Sequence, residues 1–163
     1  MGTRSKIQDS RKRKQQGRGV DDPIGGKPTE SAITVLLEKL ASLELNLSQQ
    51  RGEFELFGLF LREESQEKWD LIVAAPWLHS YDRASLQAVV SEMQKTLTPA
   101  ELLEFSRVVV LDKGNPFLEQ LLAQYKTERN LVDVHDLSLL GLSFRRAYII
   151  TAVGRLARKH RRN

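Results

Sequence analysis

The chain has 163 residues, 40% of them apolar, with 25 Lys and Arg against 21 Asp and Glu, and it has no cysteine. That length and apolar content suit one domain with tails rather than two domains, and the missing cysteine excludes disulfides, thiolate nucleophiles and cysteine-ligated zinc. No apolar run approaches the roughly 18 residues of a membrane span and no apolar core follows the N-terminal charges, which argues against a span or a secretory leader and for a cytoplasmic protein, or a nuclear one if the cell has a nucleus.

The net charge of +4 is unevenly distributed. Residues 1–30 carry eight Lys and Arg against four acids, and residues 154–163 carry five against none. The middle keeps 12 basic and 17 acidic residues, so the ends are cationic and the body is anionic. The overall basic balance therefore describes the tails and does not signal a basic face on the fold.

Residues 1–28 hold almost no apolar side chains beyond Ile7, Val20 and Ile24. Such a segment cannot offset an ordering cost of about 1–2 kcal/mol per residue, so a disordered basic tail is expected. Within it Arg11, Lys12, Arg13, Lys14 and Arg18 suit electrostatic contact with nucleic-acid phosphates or with an acidic partner. The same run also suits a solvated tail with no partner. No aromatic residue lies among these cations, so base stacking is not expected of them.

From Thr29 to about Ser48, Ile33, Leu36, Leu40, Leu43 and Leu47 recur at alternating spacings of three and four, which predicts a long amphipathic helix. Packed on a sheet it would be an ordinary globular helix; paired with a second copy, Leu36, Leu40 and Leu43 would form a homodimer seam. Gly52 is placed to end the helix.

Phe54–Leu61 is apolar on both alternating faces and predicts a central strand. A short polar stretch leads to a second strand over Trp69–Ala75, expected to return antiparallel and to end at Pro76. Ser80 and Asp82 are caps for a helix with Leu86, Val89, Val90, Met93 and Leu97 on one stripe. Thr98-Pro99-Ala100-Glu101 is a capping box that opens a second short helix. Arg107–Asp112, with Val108, Val109 and Val110 in succession, predicts a buried strand. Strand, helices and strand make a βαβ unit with a right-handed crossover.

Asn115 and Pro116 then open a helix holding Phe117, Leu118, Leu121, Leu122 and Tyr125. Neither the phosphate-binding loop nor the dinucleotide fingerprint of glycines is present, so no cofactor is implied. Alternation over Leu131–Leu137 puts Leu131, Asp133, His135 and Leu137 on one side of a strand near an edge, expected to pair with a last strand over Phe144–Val153. The end of the chain is basic again through Arg155, Arg158, Lys159, Arg161 and Arg162.

The expected architecture is a single α/β (or α+β) domain over residues 29–153, a mixed sheet of about five strands preceded by one long helix, between basic tails 1–28 and 154–163. Two functions follow. The first is a non-catalytic binding or regulatory protein whose tails contact nucleic acid or an acidic partner, with Trp77 and the first helix as interface candidates. The second is a small metal-dependent phosphoesterase or nuclease built on Asp112, with Asp70 and Lys113 as helpers, because sites gather at the carboxyl ends of parallel strands. No metal-ligand motif stands out: His79, His135 and His160 are scattered.

Overall fold

The first two apolar runs form β1 (Leu56–Arg62) and β2 (Trp69–Ala74), an antiparallel hairpin in which Phe57 pairs with Val73 and Phe60 with Asp70. They lie at the middle of a computed structural model that describes residues 30–65 and 67–154. Both strands are buried almost end to end, as strands that are apolar on both faces require when a sheet is covered on two sides.

Before them runs α1 (Glu30–Arg51). The chain divides into two units, residues 1–35 and 36–163, and of the first only residues 30–35, the opening of α1, are described. From Leu36 onward Leu36, Leu37, Leu40, Leu43 and Leu47 are buried. The Thr151 hydroxyl donates to the Glu44 carboxylate at 3.0 Å, which lays this part of α1 on the sheet face that carries Thr151. The stripe thus covers the protein's own sheet, and Leu36, Leu40 and Leu43 are not available as the homodimer seam that their spacing allows. Gly52 stops the helix with φ of 128°, its amide on the Ser48 carbonyl at 3.0 Å.

After Pro76 the Asp82 side chain caps α2 (Arg83–Thr96), whose Val89 and Met93 are buried. This helix lies beside α1, leaving an open groove of about 360 Å³ lined by Leu47, Arg51, Ala88 and Lys95 among others. The capping box forms as the sequence predicts at α3 (Pro99–Leu102): Thr98 Oγ1 accepts from the Glu101 amide at 3.1 Å and Glu101 Oε1 accepts from the Thr98 amide at 2.8 Å. Lys39 of α1 donates to the same carboxylate at 2.8 Å.

The chain then enters β3 (Phe105–Val110), parallel to β2, completing the βαβ unit. The valine run is only half-buried, in contrast to the buried strand expected from it. The reason is position: the sheet order is β3-β2-β1-β5-β4, so β3 is an edge with one neighbour, where branched residues suit a pleated, half-buried surface without being fully covered.

The other face is covered by α4 (Pro116–Gln124), capped by Asn115 Oδ1, which accepts from the Phe117 and Leu118 amides at 2.8 and 3.2 Å. Phe117, Leu118 and Leu121 pack with Phe60, Ile72, Ala74 and Phe144. Phe60, Phe117 and Phe144 meet edge to face with centroids 5.4–6.4 Å apart. Helices on both faces make three layers.

A hairpin of β4 (Thr127–Leu139) and β5 (Leu142–Ala152) completes the sheet. Its two-residue turn has Leu140 and Gly141 at φ of 51° and 80°, the positive angles a tight hairpin turn demands. β4 does not keep the simple alternation: Val132 and Val134 pack on the same side as Leu137 and Leu139. Asp136, at φ of 55°, breaks the two-residue period between them. The last strand lies between β1 and β4, against Gly58 of β1, where a Cβ would stand 3.0 Å from the Tyr148 carbonyl oxygen. Among the described residues no helix is long and apolar enough to cross a membrane.

Candidate functional site

The parallel pair β2–β3 has an acid at each end, and the two acids have opposite surroundings. Asp70 is the second residue of β2 and lies level with Arg107 of β3. It is 1% exposed. Its Oδ2 accepts from Arg62 Nε at 2.9 Å and faces Arg107 Nε at 3.3 Å, so strands on both sides each send a guanidinium to one carboxylate oxygen. The bond to Asp70 raises the Arg62 pKa further, and Arg62 also donates to Glu64 at 2.9 Å. The other Asp70 oxygen, Oδ1, is buried with no hydrogen-bond partner among the described residues. A carboxylate so enclosed, with a guanidinium from the strand on either side, holds three strands together.

Asp112 lies just past the opposite end of β3. It is five residues beyond the level of Asp70, roughly 16 Å at the usual strand rise. The two carboxylates expected to cooperate are therefore not in one site. Asp112 instead joins the β3–α4 loop to the β2–α2 loop: its Oδ1 accepts from the Ser80 amide at 2.9 Å and its Oδ2 from the Ser80 hydroxyl. These bonds, the hydroxyl's first, hold its carboxyl below the usual carboxylate range. Lys113 follows it and is exposed.

The same Ser80 sits between His79 and Tyr81, whose rings stack at 5.1 Å between centroids with 14° between their planes. Tyr81 is 81% exposed, with its neighbour Arg83 also exposed. The strand ends thus present a small surface built on one stacked aromatic pair, with exposed Arg83 two residues after Tyr81 and exposed Lys113 directly after Asp112. Its two acids, Asp82 and Asp112, are occupied in capping the Ala84 amide and in holding Ser80. Sequence reasoning weighed His79 only as one of three scattered histidines and passed over Tyr81, because two residues on a turn show no periodicity; the Ser80-flanking aromatics beside a strand end were the available signal.

Far from both ends, Asp133 and His135 lie on β4, separated from β2 by β5 and β1. Asp133 accepts from Arg146 at 3.0 and 2.8 Å, and His135 Nε2 stands 3.6 Å from it. The Arg146 bonds lower the Asp133 pKa, and the guanidinium lies 4.9 Å from the Tyr148 ring centre. Among the described residues no group of three or more His, Asp and Glu is arranged to hold a metal ion.

Trp77 is half-buried and engaged within the protein. Its indole donates to the Gly52 carbonyl at 2.7 Å and its ring meets Phe54 edge to face at 5.4 Å. That fastens the end of α1 to the β2–α2 loop and leaves little of the side chain for a partner. A further buried acid, Glu44, was missed although its position, four after Leu40 and three before Leu47, puts it on the buried stripe. Its carboxylate accepts from Arg129 Nε at 2.8 Å and from Thr151 at 3.0 Å. Arg129 reaches it from a register shift in β4 between Glu128 and Val132, with φ of 59°.

The terminal cations Arg11, Lys12, Arg13, Lys14 and Arg18, and Arg155, Arg158, Lys159, Arg161 and Arg162, lie outside the described residues. No family model, curated protein or solved structure matches this chain.

Proposed function

We propose that the protein is a non-catalytic nucleic-acid-binding protein whose cationic ends engage phosphates while the anionic α/β body supplies specificity. The observation that carries this is the separation of charge along the chain: residues 1–30 and 154–163 hold 13 of the 25 Lys and Arg, and the stretch between them has an excess of acids. Cations concentrated in segments with few apolar side chains are suited to displacing counterions from a polyanion. A body of like charge to the ligand keeps the contact confined to the tails and to any local cationic patch.

The test is a salt titration of binding to a single-stranded oligonucleotide by the full chain and by a variant with Arg11, Lys12, Arg13, Lys14 and Arg18 changed to Gln. Each phosphate contact contributes a slope of about −0.7 in log K against log salt, so the variant should bind more weakly and with a shallower slope. Equal slopes in the two proteins would refute the assignment to this tail.

The phosphoesterase alternative is disfavoured by the distance between Asp70 and Asp112, which leaves Asp112 and Lys113 without a second carboxylate from that pair. Phosphodiester cleavage with magnesium or manganese, compared between the wild-type chain and Asp112→Ala, checks it. Activity abolished by the substitution would establish the alternative.

A further inference from the structure

We infer that the strand-end surface built by His79, Tyr81, Arg83 and Lys113 is a nucleobase-stacking site for single-stranded nucleic acid; this rests on the binding function proposed above and assigns the body its share of it. The terminal cations have no aromatic residue among them, so they offer phosphate contacts but no aromatic ring for a base to stack on. The body carries the missing element.

One face of Tyr81 is covered by His79 at 5.1 Å, nearly parallel, and the side chain is still 81% exposed. Tyr81 is the most exposed of the large hydrophobic side chains described. A stacked pair offers a flat surface that continues the geometry of a base stack, and any base has a face to place on it.

The loop is also held in place. Ser80, between the two rings, is bonded through both its amide and its hydroxyl to Asp112. Asp82 is held by the Ala84 amide at 3.1 Å. A loop fixed in position loses little freedom when a base stacks on the ring it carries. Arg83, two residues after Tyr81, and Lys113, next to the Asp112 that holds Ser80, are exposed and are the cations this loop pair offers to the phosphates of a stacked strand. An open aromatic ring on a loop that also carries an exposed cation is the combination a single-strand platform uses. A site for an apolar peptide anchor would instead need an apolar pocket around the ring.

The experiment uses the full-length chain with Tyr81→Ala and Tyr81→Phe, and two labelled polyanions: a thymidine oligonucleotide of about 12 nucleotides, within the usual site size, and heparin, which has no bases. Stacking is worth about 1–3 kcal/mol per base, so Tyr81→Ala should weaken oligonucleotide binding about ten-fold. Tyr81→Phe should stay within about two-fold, and heparin affinity should be the same in all three proteins. Unchanged oligonucleotide affinity in Tyr81→Ala would overturn the stacking site while leaving the tail assignment standing. Equal loss for heparin and oligonucleotide would also overturn it, since Tyr81 would then not be reading bases. Failure of the wild-type chain to bind either polyanion would remove the proposed function and this site together. Because Tyr81 is exposed, the circular dichroism spectra of the three proteins should superimpose.

Discussion

The two ends of the β2–β3 pair are built from the same materials and do different work. At one end Asp70 is enclosed, with guanidinium groups from the strands on either side. At the other, Asp112 is held by a serine, and the loop it positions exposes a ring stack. A carboxylate that faces guanidinium groups from two neighbouring strands joins strands; one that takes hydroxyl and amide donors from a turn joins loops. What decides between them is the company each acid keeps across the sheet, which neither Asp nor its flanking residues reveal.

The enclosed end should be the more sensitive to substitution. Phe60, the cross-strand partner of Asp70, is wholly buried against Phe117 and Phe144. Phe60→Ala should cost about 3–5 kcal/mol in urea unfolding through the cavity it leaves. Asp70→Ala should cost about 3 kcal/mol, the lower part of the range for breaking a buried pair, because Arg62 and Arg107 keep some solvent contact. A loss below about 1 kcal/mol, the level of an exposed pair, would show the two ends to be alike and would sink the contrast.

The open end should respond less in stability and more in local chemistry. Asn115→Ala removes the cap of α4 and should lower the unfolding free energy by about 1 kcal/mol. Exposed Asp133 provides a scale for an acid outside both ends. Its pKa is lowered by Arg146, so its contribution is present above the ordinary aspartate value and is lost as pH falls through the folded value. Asp133→Asn should flatten that acid limb of the stability curve by less than about 1 kcal/mol, since the pair is open to solvent. The smallest effect is expected from Ser80→Ala. It should leave the urea midpoint nearly unchanged while the Asp112 carboxyl, followed by NMR, titrates closer to the ordinary aspartate range.

Much of the fold was legible because local signals agreed with it. The leucine spacing of α1, the capping box at Thr98 and Glu101, the Asn115-Pro116 start of α4 and the end of β2 before Pro76 each rest on contacts within a few residues. The β4–β5 hairpin and the parallel placement of β3 followed from the lengths of the connections. The candidate site was less legible. Asp112 was singled out correctly as a strand-end residue, but its partner is Ser80 and not Asp70. Trp77 looked like an anchor, and its indole is bonded to Gly52.

Chain-local chemistry therefore determined which segments become helix or strand, where they stop and that the charges divide between ends and body. The tertiary structure alone decided that β5 lies next to β1, that the valine run becomes an edge, and that Glu44 and Arg129 meet although they are 85 residues apart. Helix periodicity, caps and turns are set by neighbours along the chain, whereas strand order and the pairing of distant charges depend on which faces must be buried together, and one sequence pattern is compatible with several such arrangements.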